Sequence, residues 1–461
     1  MYGMTARLTS VRDRLEIDSR SGTVAFTVAV LVALIVAVAT SRGLLLPFAA
    51  VTVVALAFVL GLRWPLLLLA LFIAVVPLEE VVQFGGFGTP SRIIGLLFAV
   101  AYLPRRVGHV TLRAMPLPAW AFLAWACLSL VWATDRTLAS SELETLVQLF
   151  VIAVLVADVV VHTPDVVRPL LWAYALAAAL TAVVGCLQVL SSGAVGARIA
   201  AFQGQDEAQF AAVLLPAFVF AFLELLGRRH VAASFTVALL CAIGIVLSGT
   251  RGAWLSVVVV LVLFVLPRLR TRQRVAALVA AALFIVVAVQ LPGVSALVSE
   301  RTDTALSTGG SGRVVIWSVG LEIMREAPLT GVGFANYPVA FTPERILSSG
   351  VEVSPGVNRA PHSIILGTAG ELGLVGIVLL AAFLVPLLAR RGWGQDAVVV
   401  QAALASVMTA GLFLDILNRK QVWVLLGMAA GLAYLRRRDR SPAARPEHVR
   451  AEVAAPFPTS T

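Results

Sequence analysis

The feature that most constrains this chain is a succession of long apolar runs separated by short polar gaps. "TVAFTVAVLVALIVAVA" (residues 23–39) and "VQLFVIAVLVADVVV" (147–161) are two of them. A helix crosses a bilayer with about 20 apolar residues, and somewhat fewer where protein shelters it. By that measure the sequence predicts spans near 23–40, 44–62, 64–78, 91–104, 117–132, 142–161, 170–190, 208–226, 231–247, 252–268, 274–291, 362–388, 397–414 and 420–435. The 64–78 and 91–104 segments are short enough to be re-entrant, which makes 12–14 transmembrane helices the expectation. Composition agrees. Apolar residues make up 60% of the 461 and charged residues 13%, against about 45–50% and about 25% in a soluble domain.

The net charge of +10 raises the question of nucleic acid. Basic residues on cytoplasmic loops would answer it, because topology alone requires them there. With the N-terminus inside and the spans alternating, 23 of the 35 basic residues fall inside, among them Arg105, Arg106, Arg168, Arg229 and Arg436. Short outer loops are almost free of positive charge. The charge is spread over loops and not gathered into a patch, so no nucleic-acid partner is expected. Both termini are expected to be cytoplasmic.

Cys127, Cys186 and Cys241 each lie in an apolar run without paired spacing, and read as small core residues. Residues 1–22 are charged and the first apolar run is anchor-length, so the start reads as a cytoplasmic N-terminus and not a cleaved signal. The domain plan is then residues 1–22, spans over 23–291, a large extracytoplasmic loop over 292–361, further spans over 362–435 and a disordered cytoplasmic tail over 436–461.

The large loop has its own pattern. "RVVIWSVGLEIMREAP" places Val314, Ile316, Trp317, Leu321 and Met324 at roughly helical spacing. This predicts an amphipathic helix against the membrane surface or over a cavity. "TGVGFANY" follows, where Gly331 and Gly333 signal a tight turn.

On this topology His362 is the one histidine of five that faces outward, at the mouth of a span. A lone histidine at a helix end is ordinarily interfacial, so its neighbours decide. Arg251 stands between two apolar runs with almost no loop, where a charge marks a functional site unless it merely snorkels at a helix boundary. Arg198 and Arg313 lie on the same side, each at the end of an apolar segment. Converging guanidinium groups suit a polyanionic head group such as a diphosphate, and histidine supplies a base near neutral pH. The adjacent acidic pairs Glu79–Glu80 and Asp206–Glu207 do not share a helix face, which favours arginine over a metal ion and predicts no metal and no cofactor. Arg359 and Glu371 flank His362 as supporting residues. On a straight helix Glu371 faces away from His362, so it reads as a carboxylate bonded within the bundle.

Taken in order, "LSGTRGAWLS", "GRVVIW…APLTGVGFANY" and "PHSIILGTAGELGLVG" resemble the O-antigen ligase/polymerase superfamily over a core of about 190–380. "RIAAFQGQDEAQF" resembles an asparagine-rich element of that family, with Asp206, Glu207 and Gln209 in place of the asparagines. The resemblance implies an all-α, GT-C-like polytopic membrane protein of the cytoplasmic membrane with its active site on the outer face. It implies a metal-independent inverting glycosyltransferase whose donor is a glycan on undecaprenyl diphosphate and whose acceptor is a glycan or lipid-glycan. Arg251, Arg313 and Arg198 would hold the diphosphate, and His362 would deprotonate or orient the acceptor hydroxyl. A repeat-unit polymerase is the alternative within that class. A lipid-linked oligosaccharide flippase is the alternative outside it, though no internal repeat supports one.

Overall fold

A computed structural model of the chain describes residues 61–79, 89–192, 206–268, 313–348, 359–389 and 394–439, with residues 271 and 274. The predicted span 23–40, nearly all of 44–62 and of 274–291, residue Arg198 and the tail beyond 439 lie outside the described residues. The described part is all-α, and its helices place it as a polytopic membrane protein.

The spans come as α1 (Pro65–Leu78), α2 (Pro90–Arg106), α3 (Leu117–Leu128), α4 (Arg136–His162), α5 (Val167–Ser192), α6 (Glu207–Leu226), α7 (Val231–Leu247) and α8 (Arg251–Val260). After α8 the chain continues through a π turn to Val265 and a 3-10 turn to Arg268. The loop between the two blocks of spans contributes α9 (Arg313–Glu326), α10 (Tyr337–Ala340) and α11 (Pro343–Ser348). The last spans are α12 (Ile364–Ala389), α13 (Gln395–Ala410) and α14 (Lys420–Asp439). Four helices, α4, α5, α6 and α12, are each long and apolar enough to cross a membrane. Shorter apolar helices pack among them.

Local chemistry sets the boundaries. Asp135 caps α4 by accepting the N–H groups of Thr137 and Leu138 at 2.9 and 3.0 Å. That cap starts the helix six residues before the predicted 142. Asp206, a member of the acidic pair noted in the sequence, caps α6 through the N–H of Ala208 at 2.8 Å. α13 stops at Ala410, four residues before the predicted 414, and the freed residues open a loop, 411–419. α14 runs to Asp439, so Arg436, Arg437 and Arg438 sit on its last turn and not in a tail from 436. Cations there complement the helix dipole.

The centre of the bundle is α4 packed on α14. A Cβ on Gly427 or Gly431 would lie 2.5 or 2.8 Å from the carbonyl oxygens of Ala153 and Ala157, so the absence of side chains brings the two backbones together. α1 packs on α5 and α2, α6 on α7 and α13, and α3 on α12. Leucines and valines remain exposed on the outer flanks, among them Leu180, Leu187, Leu239, Leu374 and Val378. Cys127 is also exposed, against the core position its sequence context predicts, and Cys241 is buried.

Polar groups collect at the two ends. At one end the inaccessible Asp158 accepts from the Tyr102 hydroxyl and the Thr111 N–H, both at 2.7 Å, and from Arg106 Nε at 3.1 Å. Arg168 at the same end bonds Glu224 at 2.6 Å and Asp396 at 2.5 Å. A buried carboxylate survives in a bundle because it is paired in this way. The opposite end carries the loop helices and the residues described next.

Candidate functional site

Three chain segments meet at that opposite end. The Ile364 N–H at the start of α12 donates to the Gly411 carbonyl at 2.7 Å. At the start of α8, Gly252 lies against Phe413, whose Cδ2 would be 3.2 Å from a Cβ there. The Thr250 hydroxyl at the same turn donates to the Glu207 carbonyl at 3.3 Å. Arg251, exposed at the first position of α8, and His362, half-buried just before α12, therefore both border loop 411–419.

Ser363 starts α12. Its Oγ accepts the N–H of Leu366 at 3.4 Å, as an N-cap does. The helix thus begins at Ile364, two residues later than predicted, and His362 precedes it with φ +47°. A non-glycine residue in the left-handed region is uncommon and is retained where the surroundings hold it. Here Pro361, the cap and the bond from Ile364 to Gly411 fix both flanks.

Loop 411–419 contributes two residues that sequence reasoning missed. The Asp415 carboxyl lies within charge-interaction range of both His362 and Arg419. Burial pushes this carboxyl above its usual range, and the N–H of Leu417, Arg419 and His362 pull against that without cancelling it. Asp415 had no sequence signal beyond following a predicted span by one residue. Arg419 sat beside the span that begins at Lys420. That lysine is itself held by both oxygens of Glu79, at 2.8 and 2.6 Å, and by Thr89 Oγ1 at 2.6 Å. The pair pins α14 and the loop before it to the ends of α1 and α2.

Glu371 lies two residues before a break in α12. α12 breaks at Gly373, which has φ +66° and ψ −165°. The break frees carbonyls that an unbroken helix would occupy. The 328–336 turn takes them up: the Val332 N–H donates to Gly370 O at 3.0 Å and the Gly333 N–H to Glu371 O at 2.9 Å. Trp125 Nε1 donates to Leu372 O at 2.9 Å. In return the Leu374 N–H donates to Pro328 O at 2.8 Å. The Glu371 carboxylate accepts from the N–H groups of Tyr337, at 3.4 Å, and Ala335. Its partner is thus the backbone of the large loop, and Asp415 lies within charge range of it.

Two glycines allow this docking. Gly331 has φ +64°, and a Cβ there would meet the Glu371 carbonyl carbon at 2.3 Å. Gly333 has φ +99°, and its Cβ would meet Ala133 Cα at 2.5 Å. The turn is also tied to the start of α4. Asn336, fully buried, accepts the Asp135 N–H at 2.5 Å and donates to Asp135 O at 3.2 Å.

The loop helix α9 lies along the first half of α12, parallel to it. A Cβ on Gly320 would touch Leu366 Cδ1 at 2.6 Å, and one on Gly370 would lie 3.7 Å from Ile323 Cγ2. Helix α9 thereby starts, at position 313, towards the His362 end of α12. Of the five apolar residues behind the prediction of this helix, Ile316 is buried, whereas Val314, Trp317 and Leu321 are exposed. The buried face is Val315, Ile316, Val319 and Ile323, against Tyr337, Phe341 and Leu366. Arg359, also exposed, lies three residues before His362. The structure thus brings Arg251, His362 and the start of α9 to one end of the bundle, adds Asp415 and Arg419, and turns Glu371 to the loop.

An acidic group within charge range of a histidine, with arginines on the neighbouring segments, can orient an imidazole and bind an anion. A comparison with curated proteins returns no match. Residues 236–381 match the family model described as O-antigen ligase, a stretch that holds Arg251, α9, His362 and the break in α12. Over that segment, about a third of the chain, this membrane protein is similar to the O-antigen ligase family, which supports an O-antigen ligase- or polymerase-like role in polysaccharide biosynthesis.

Proposed function

We propose that this protein transfers a glycan from a polyprenyl-diphosphate donor to an acceptor hydroxyl, at the end of the bundle where His362 lies. The observation that carries the reading is the placement of His362 at the mouth of α12, within charge-interaction range of Asp415 and beside the turn that holds Arg251. In the proposed reaction the imidazole of His362 takes the proton of the acceptor hydroxyl as its oxygen attacks the anomeric carbon. The bond from that carbon to the diphosphate oxygen breaks with inversion, and the lipid diphosphate leaves. Arg251, Arg313 and Arg198 carry the negative charge that develops on the leaving group, which fixed guanidinium groups do without a metal ion. Asp415 holds the imidazole ring in the orientation that accepts the proton. The bundle is proposed to lie in the cytoplasmic membrane with this end on the outer face and both termini inside. An acceptor that is a cell-envelope glycan or glycolipid makes the protein a ligase.

The test uses the purified full chain, a lipid-diphosphate-linked glycan and a candidate acceptor. The expected result is transfer by the wild type and none by His362→Ala or Arg251→Ala, each still inserted in the membrane. Full activity in both variants would reject the assignment. Deletion of the gene separates the two acceptor classes. Full-length lipid-linked polymer should accumulate if the protein is a ligase, whereas loss of polymer length would make it a polymerase.

A further inference from the structure

Helix α9 has two apolar faces, and the fold uses one. Val315, Ile316, Val319 and Ile323 are buried against the loop core and α12. On the other side Val314, Trp317 and Leu321 are 51%, 44% and 47% exposed. Their spacing of three and four residues puts them in one stripe, about 10 Å long at 1.5 Å per residue. An exposed tryptophan flanked by exposed aliphatic residues on a packed loop helix needs an apolar neighbour.

The position of the stripe says what that neighbour is. One end lies at Arg313, at the level of His362, because α9 runs parallel to the first half of α12. The other end leads to Leu329, also exposed, whose carbonyl carbon would be 2.3 Å from a Cβ on Gly373. Leu374 is the next residue of α12 and begins an exposed row with Val378 and Val385. On a membrane-spanning helix that row faces hydrocarbon. Exposed apolar residues therefore lie on the lipid-facing flank of α12, at Leu329 and along α9 towards the cationic mouth, with the exposed Arg325 between Leu321 and Leu329 at the last turn of α9.

We propose that the stripe Val314–Trp317–Leu321 is the track on which the polyprenyl chain of the donor lies, with the diphosphate at the Arg313 end. This rests on the lipid-diphosphate donor proposed above and names the part of the protein that holds its tail. An isoprenoid has no polar atom to satisfy, so a half-exposed apolar stripe open to the bilayer suits it, and the chain need not leave the leaflet.

The test compares two donors with the same glycan and diphosphate, one on an undecaprenyl chain and one on a geranyl chain. The purified full chain should show a lower KM for the long-chain donor. The double variant Trp317→Ser/Leu321→Ser should raise that KM about tenfold, the effect of losing a few apolar contacts. It should leave kcat, and KM for the geranyl donor, unchanged. Trp317→Phe should keep the preference for the long chain. An equal rise with both donors, or no change with either, overturns the track. No transfer by the wild type from either donor overturns the glycan-transfer reading, and the track with it. If the double variant is not monodisperse, a diazirine-bearing undecaprenyl diphosphate gives the decision on the wild type. An adduct within 314–321 supports the track, and labelling confined to other segments overturns it.

Discussion

The N–H of Ile364 donates to the carbonyl of Gly411 at 2.7 Å. That bond joins the helix that His362 precedes to the loop that carries Asp415, two parts of the chain separated by a full membrane crossing and return. The geometry of the proposed general base depends on this join, and so do several outcomes.

Asp415→Asn should cut kcat by about 10²-fold or more, within the range for loss of a group that supports general base catalysis. The same variant should be no less stable than wild type at pH 7.5. The Asp415 carboxyl is raised by burial, so the folded state binds its proton more tightly than the unfolded chain does. Its ionised form therefore disfavours folding above the raised value, and that penalty fades as the pH falls through it towards the ordinary carboxylate value. Thermal unfolding in nanodiscs at pH 7.5 and 4.5 checks the sign. A variant much less stable than wild type at pH 7.5 would give Asp415 a structural role instead.

Gly331→Ala should undock the large loop from α12. Its Cβ has no room beside the Glu371 carbonyl, and φ +64° disfavours any side chain. Glycan transfer should be lost while membrane insertion persists, and the loop should become sensitive to added protease. Unchanged protease resistance would count against the docking as a requirement for activity.

Asn336→Ala should destabilise the loop by about 1–3 kcal/mol, because it leaves the backbone of Asp135 without its buried partner. Hydrogen exchange at residues 133–138 and 333–337 reads the effect, which should be local to those two segments.

Arg345→Ala should matter far less. Arg345 binds Glu326 at 2.5 Å and holds that carboxyl below its usual range, but both groups are partly exposed. A surface pair of this kind contributes about 0–1 kcal/mol. Its contribution is present above the ordinary glutamate value and is lost as the pH falls through the lowered one. A thermal shift beyond a few degrees at pH 7.5 would show that the pair does more than close the α9–α11 contact.

Treatment of the purified protein with EDTA should leave transfer unaffected if the arginines neutralise the leaving diphosphate. Strong inhibition reversed by Mg²⁺ or Mn²⁺ would overturn that part of the mechanism.

Much of the helix plan was legible because the information is local. An apolar run of the right length partitions into a bilayer wherever it stands in the chain, so eleven predicted spans fall on helices within a few residues. His362 and Arg251 were legible as residues at helix ends, because the apolar runs beside them are local signals. Glu371 was legible as a bonded carboxylate, but its partner was not, because the loop backbone reaches it at a break that follows it at Gly373. Gly370, Gly373 and Gly376 have the spacing of helix-packing glycines, and the pattern does not distinguish a glycine that packs from one that breaks. α9 was legible as a helix, but its apolar residues were assigned to one face when the fold buries one set and exposes another.

By itself, then, the sequence determined the membrane character, the positions of most spans and the placing of His362 and Arg251 at helix ends, all properties of short segments in a given solvent. The tertiary structure decided which polar groups meet. Asp415 comes within charge range of His362 because α13 ends early and its loop packs on two helix starts. The large loop holds its place because buried Asn336 finds the backbone of Asp135, and two glycines let the turn at 328–336 reach the break in α12. Such pairings join segments far apart in the chain, and their energies exist only once the helices have packed.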